Sequence, residues 1–266
     1  MKEPRSFTAL ILAGSRRGGD DPVAKAAGVA HKSLVEIGGR PMLMRVLDAV
    51  IAAPSVAKVI LAVESRSIVE ALPGLAQSIA AHSLSVVETA NSPAATVLAV
   101  LRTPPPPYPL LVTTSDHALL SPDMIEAFCA GLPADVDVAA ALCTRSSIER
   151  AYPGARRTYI RLGGEGYSGC NLFAMLNERA ANAVSFWLRM EGHRKTPWKY
   201  AAEIGPGPLA RYFFGHLTLE GAFAELSRRI GAHGAPVVMP MAEAAIDVDT
   251  PADLVQVRQI LARATA

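Results

Sequence analysis

An apolar run, Leu10-Ile11-Leu12-Ala13, leads straight into Gly14-Ser15-Arg16-Arg17-Gly18-Gly19, and Lys32 follows in His31-Lys32-Ser33-Leu34. A buried strand ending in a glycine- and arginine-rich loop offers backbone N–H groups and guanidinium charge together, which suits a polyphosphate. Two acidic positions complement that loop. Asp116 comes directly after Leu110-Leu111-Val112-Thr113-Thr114 and Ser115, at the strand end where open α/β sheets place their ligand crevice. A lone carboxylate there can hold Mg²⁺, a hard cation that takes oxygen ligands and keeps several waters. Near the C-terminus, Asp247 and Asp249 flank Val248 and so project to one side of an extended segment.

Local look-alikes separate cleanly from this set. Gly14 and Gly19 have the spacing of a Walker loop, but Asp20-Asp21 follow where Lys and Ser/Thr are required, which argues against a P-loop NTPase. The literal Gly-x-Gly-x-x-Gly match, Gly164 to Gly169, runs into Cys170-Asn171-Leu172-Phe173, a strand pattern, so it reads as a turn between strands and not as a dinucleotide fingerprint. In Thr250-Pro251-Ala252-Asp253, the threonine can N-cap a helix, the proline take its first position and Asp253 favour its dipole. None of this accounts for Asp247 and Asp249. The segment Glu191 to Tyr200 mixes Lys195 and Lys199 with aromatic residues, as a lid over a phosphorylated acceptor would.

The elements that must position these residues alternate between short β-type runs and helical stretches. That pattern is an α/β, three-layer αβα, Rossmann-like and mainly parallel sheet with an elaborated C-terminal half. Strands are expected over residues 8–13, 57–63, 84–87, 110–114 and 136–143, with further extended runs over 158–162, 170–175 and 235–239. Helices are expected over 42–53, 67–81 with a break near Pro73-Gly74, 96–101, from Ser121-Pro122 onward, 178–190, 219–230 and 251–263. Pro41 suits a first helical turn. The prolines 104–107 form a stiff connector. No repeat and no clean linker interrupts the chain. A single domain over residues 1–266 is therefore expected, with a nucleotide-binding half of about 1–150 and an acceptor-binding half of about 151–266.

Bulk properties narrow the field further. Of the 266 residues, 50% are hydrophobic and 19% charged, an ordinary globular balance. A net charge of +2 without a block of like charge gives no reason to invoke nucleic acid or an anionic membrane. Cys129, Cys143 and Cys170 are too far apart for a Cys-x-x-Cys motif and odd in number, so buried thiols in a reducing cytoplasm are expected. No run has the make-up of a signal segment or the length of a membrane span. His82, His216 and His233 carry no ligand spacing.

The ordered set of strand, Ala13-Gly14 loop, arginine, lysine and Gly39-Arg40-Pro41-Met42 resembles the signature of the MobA-like nucleotidyltransferases. Asp116 with Leu119-Leu120 and the ending Asp247-Val248-Asp249-Thr250-Pro251-Ala252-Asp253-Leu254 are similar to the family's later elements. Ser15 replaces the usual second loop glycine, His31 the proline before the lysine, and Asp116 lacks its following proline. The resemblance implies a GT-A-like fold, Mg²⁺, a nucleoside triphosphate and a small phosphorylated acceptor, with pyrophosphate released. It places Leu12, Ala13, Gly14 and Ser15 on the nucleotide, Arg16 or Arg17 on phosphate and Lys32 on the α-phosphate charge. Asp116 and Asp249 fall on the metal, with Asp247 as an alternate ligand or one layer behind. Asn91 and Thr96 fall on a small-residue turn against the nucleoside, on the same rim as residues 62–64. Gly169 and Asn171 follow a Gly-x-Asn strand lining the acceptor pocket.

The acceptor class stays open between molybdopterin, a sugar phosphate and a phospho-alcohol, and the long region from about Tyr152 to Ala235 favours something other than molybdopterin. Two rival functions share the scaffold. A glycosyltransferase using a nucleotide sugar calls for Asp-x-Asp at the fourth strand end, where this chain has Asp116-His117-Ala118. A non-catalytic nucleotide-binding protein would bind without turnover. The expected state is a cytoplasmic monomer or homodimer.

Overall fold

The computed structural model describes residues 5–15, 20–72, 74–192 and 205–264. Its first strand, β1 (Phe7–Ala13), is apolar on both faces because it lies in the middle of the sheet. The short helix α1 (Pro22–Ala27) follows, N-capped by Asp21 and closed by the left-handed Gly28. A small hairpin, β2 (Glu36–Ile37) and β3 (Arg40–Pro41), turns at Gly38-Gly39, both at positive φ. Then come α2 (Met42–Ala52), β4 (Val56–Val63), the pair α3 (Arg66–Glu70) and α4 (Leu75–Ala81), β5 (Leu84–Glu88), α5 (Pro93–Leu101), β6 (Leu110–Thr114) and α6 (Pro122–Ala130).

The second half runs β7 (Val138–Thr144), α7 (Arg145–Ala151), β8 (Ile160–Leu162), β9 (Glu165–Met175) and α8 (Ala180–Gly192). After residues 193–204, which lie outside the description, α9 (Pro206–Phe213), α10 (Leu219–Ile230), β10 (Gly234–Val238) and α11 (Pro251–Ala264) complete it. The main sheet has the order β10-β7-β9-β6-β1-β4-β5, with β8 hairpinned onto β9. β9 runs antiparallel to β6, β7 and β8, and the other pairs are parallel. Strands from both halves of the chain thus interleave in one sheet.

Alternation along β1 builds the three layers. Phe7, Ala9 and Ile11 join a core with Leu43, Met44 and Leu47 of α2 and Phe128 of α6. Leu10 and Leu12 face the other way, into Val97 and Leu101 of α5 and Val184 of α8. A smaller cluster anchors the C-terminal acidic segment: Ile246 and Val248 are fully buried with Val23, Val35, Ile37, Leu254 and Val257. Burying those two apolar residues turns Asp247 and Asp249 outward on the opposite side.

Most expected elements form within a residue or two of their predicted ends. Pro41 is a correction: it precedes α2 as its cap and pairs in β3, because Gly38-Gly39 folds the chain into a hairpin first. α5 starts at Pro93, three residues before the expected helix, where Ser92 caps it. The turn in the Gly-x-Gly-x-x-Gly region is confined to Gly163-Gly164, and Gly166 and Gly169 lie inside β9. Cys143 and Cys170 are buried free thiols as expected, whereas the free thiol of Cys129 is only half-buried.

Candidate active site

Several segments meet near the carboxyl ends of the central parallel strands. They line a cleft of about 640 Å³ that includes Leu12, Gly14, Ser15, Lys32, Thr114, Asp116, Asn171, Asp247 and Asp249. A smaller hollow of about 300 Å³ adjoins it, bounded by Leu12, Gly14, Ser15, Glu64, Thr89, Asn91 and Thr96. Parallel strands deliver loops of matching polarity to one edge, so the crevice falls where the sequence pattern placed it.

Lys32 is the centre of the charged set. Its Nζ donates to Asp116 Oδ2 at 2.8 Å and to Asp249 Oδ1 at 3.1 Å. Burial works against the charge on Lys32, but the two carboxylates outweigh it and raise its pKa. Burial likewise opposes ionisation of Asp116, yet Lys32 and the Thr114 hydroxyl hold its carboxyl below the usual range. A backbone hydrogen bond from Val248 N to the Asp116 carbonyl (3.0 Å) ties the two acidic segments together. Thr250 and Asp253 cap α11 reciprocally, with Asp253 N donating to Thr250 Oγ1 (3.2 Å) and Thr250 N to Asp253 Oδ2 (2.8 Å).

Asp247 lies deeper than Asp249. Arg157 donates to its Oδ1, and Asn171 Nδ2 donates to its Oδ2 at 2.8 Å. Burial, then the neighbouring Asp116 and Asp249, push its carboxyl up to about 6 despite Arg157. With both oxygens engaged, Asp247 backs the site and Asp249 faces Lys32. Among the described residues no three acidic, histidine or cysteine side chains gather as a ready-made metal cage. Two carboxylates converging on one cation, here the lysine ammonium, fit Mg²⁺ nonetheless, because that ion is usually held by one or two carboxylates with water and substrate phosphates.

The first loop is braced from behind. Ser15 N donates to Glu64 Oε2 (3.0 Å), and His31 Nε2 lies 3.3 Å from Glu64 Oε1. His31 Nδ1 accepts from Ser33 N (3.1 Å), so a neutral ring carries its proton on Nε2. Burial lowers the His31 pKa against the pull of Glu64. At Gly14 a side chain would meet Thr89 Cγ2 at 3.1 Å, so the loop lies close against the end of β5.

Thr96 Oγ1 accepts from Ala90 N and donates to the Ser92 carbonyl, each at 2.9 Å, which sets the shape of the turn carrying Asn91. Thr96→Val should cost about 1–2 kcal/mol by leaving Ala90 N–H without its partner. Urea unfolding checks this, and an unchanged midpoint would rule out the role.

Of the sequence-derived positions, the cleft and its adjoining hollow gather Leu12, Gly14, Ser15, Lys32, Asn91, Thr96, Asp116, Asn171, Asp247 and Asp249. Ala13 is buried beneath the loop and Gly169 lies in β9; neither lines these two cavities. Arg16, Arg17, Lys195 and Lys199 lie outside the described residues. Glu64 ends the 62–64 stretch expected on the nucleoside rim, and it lines the smaller hollow there. Arg157 had no sequence signal, since it sits in a plain Ala155-Arg156-Arg157 stretch.

A mostly parallel mixed sheet with flanking helices, carrying a central lysine and paired acids at one edge, has the architecture of an α/β nucleotidyltransferase-like fold. The chain belongs to the MobA-like NTP transferase domain family, whose sequence model matches residues 9–206, and it is an enzyme of the nucleotidyltransferase class. A hypothetical transferase from Thermus thermophilus superposes with a TM-score of 0.77 at 25% identity, over 94% of this chain and 99% of that one. The fold is shared with 4-diphosphocytidyl-2C-methyl-D-erythritol synthase from Anaerococcus prevotii, at TM-score 0.59 and 13% identity over 97% of each chain. It is shared too with a CMP:2-keto-3-deoxy-manno-octonic acid synthetase complexed with CTP, at TM-score 0.54 and 17% identity over 98% and 99% of the two chains. No curated protein matches the sequence. Among the described residues no helix is long and apolar enough to cross a membrane.

Proposed function

We propose that this enzyme transfers a nucleoside monophosphate from an NTP to a small phosphorylated acceptor, with Mg²⁺ and with release of pyrophosphate. The observation that carries this reading is the convergence of Asp116 and Asp249 on Lys32 beside the loop after β1. In this reading the Ser15 region and the loop arginines Arg16 and Arg17 cradle the phosphates, and Lys32 offsets charge at the α-phosphate as an acceptor oxygen attacks in line. Mg²⁺ held by Asp116 and Asp249 would neutralise phosphate charge in the transition state. The acceptor phosphate is already ionised near neutral pH, so no general base is required. Rate enhancement then comes from positioning and fixed charge, without a covalent enzyme intermediate.

The hollow between Gly14, Thr89 and Asn91 takes the nucleoside, and Asn171 with the 191–200 segment takes the acceptor. The sheet that joins both halves of the chain supports a single domain; as a working state we take a monomer or homodimer in the cytoplasm. Thermal melts with each NTP, its diphosphate and representative nucleotide sugars, with and without Mg²⁺, test the reading. One NTP at 100 times its Kd measured with Mg²⁺ should stabilise the protein by about 2.7 kcal/mol, and the same concentration without Mg²⁺ by clearly less. A shift confined to nucleotide sugars points to a glycosyltransferase, and no shift at all removes the assignment.

A further inference from the structure

Arg157 comes from the segment between α7 and β8, outside every element that supplies the charged centre, yet its side chain is only 8% exposed. One guanidinium reaches three acceptors there. Nη1 donates to Asp247 Oδ1, and Nη2 donates to the Asp247 carbonyl at 3.1 Å and lies 3.5 Å from Asp253 Oδ1. Asp253 Oδ2 in turn accepts from the backbone N–H groups of Asp249 (3.2 Å) and Thr250 (2.8 Å). The turn that carries Asp249 is therefore gripped at both ends, through the carbonyl before it and the carboxylate after it.

On the other flank, Asp247 Oδ2 takes the Asn171 amide. Asn171 has φ 46° and lies in the bulge where β9 shifts register against β7, between the Ala140↔Phe173 and Leu142↔Gly169 pairs. A left-handed asparagine inside a strand is uncommon and persists where its surroundings over-determine it. The bond to Asp247 supplies that constraint.

Resting on the nucleotidyl-transfer reading, we propose that Arg157 is a positioning residue: it balances and grips Asp247, which acts as a strut holding Asn171 on one side and the Asp249 turn on the other. Asp247 is then a support for the metal-facing carboxylate, not a second ligand. The planar fork of arginine matches this set of acceptors, whereas a lysine ammonium, a compact point charge, cannot reproduce the fork.

The test uses the full chain with Arg157→Lys, which keeps the charge, and Arg157→Gln as a second variant. Each of the four NTPs is titrated calorimetrically with and without Mg²⁺, melts of the free proteins are recorded, and exchange of the Asn171 side-chain amide is followed in ¹⁵N-asparagine-labelled protein, assigned with Asn171→Ser. For Arg157→Lys we expect a folded protein, Mg²⁺-NTP affinity about tenfold weaker, metal-free NTP affinity within twofold of wild type, and Asn171 amide exchange at least tenfold faster. Equal losses with and without Mg²⁺, or affinities that all stay at wild-type values, overturn the proposal, as does an Asn171 amide that is unprotected in wild type or unchanged in Arg157→Lys. If Arg157→Gln fails to fold, Arg157→Lys decides alone. A wild-type protein that binds no NTP sinks the nucleotidyl-transfer reading, while the amide exchange still decides whether the strut exists.

Discussion

Asp116→Asn is expected to lower pyrophosphate release from the NTP by about 10²–10³-fold while the protein stays folded. The carboxylate stands at the end of β6, its Oδ2 on Lys32 and its Oδ1 on the Thr114 hydroxyl. Asparagine preserves the shape, and its single amide oxygen can accept from either Thr114 or Lys32, so the fold is expected to hold. What disappears is a full negative charge at the point where a cation and a triphosphate must be brought together. Lys32 keeps Asp249 as its counter-ion, which limits the loss of stability. Rates measured across a Mg²⁺ series should fall at every concentration. Wild-type turnover in this variant would take Asp116 out of the mechanism.

Lys32→Met is expected to abolish turnover and also to change how stability responds to acid. In the wild type, Asp116 is held below its ordinary pKa, so its ionisation stabilises the fold above the unfolded value of about 3.9. That contribution is lost as pH falls through the folded value. Lys32 has its pKa raised, so its share is complete below the unfolded value of about 10.4 and is lost only as pH rises through the folded one. Remove the ammonium, and burial acts on Asp116 without its main opponent, pushing the carboxyl upward. The variant should then lose about 2–3 kcal/mol at pH 7 and recover it as pH falls from the raised folded value toward the unfolded value of about 3.9. Asp247, raised to about 6, titrates in the same range in both proteins, so the expected signal is that the difference between variant and wild type shrinks as pH falls. Denaturant unfolding in metal-free buffer at three pH values gives the comparison, and parallel curves for the two proteins would contradict the assignment of Lys32 as the counter-ion.

Much of the site was legible in the chain because strand ends announce themselves. A carboxylate or glycine directly after a buried apolar run, as at Gly14 and Asp116, must emerge at the carboxyl edge of a parallel sheet, and both line the cleft. The Ile246-Asp247-Val248-Asp249 alternation likewise determined that the two aspartates share a side, since the two aliphatic residues are buried in the opposite direction. Thr250 and Asp253 could be assigned to capping from spacing alone. The fold class followed from the same periodicities, and the family from the order of the motifs. Short elements such as α1 and α7 were not legible, because six or seven residues carry too few apolar repeats to show a period.

Tertiary structure alone decided how the three acids divide their work. Asp247 and Asp249 are indistinguishable by residue type and by side, yet one reaches Lys32 and the other is taken up by Arg157 and Asn171. That division depends on a segment 90 residues away in sequence and on a bulge in β9. Neither leaves a local signature, because which charge meets which is set by chain packing between strands and not by spacing along them. The sequence by itself determined the chemistry available at the sheet edge. The packing of Arg157 against the C-terminal turn determined which carboxylate faces Lys32.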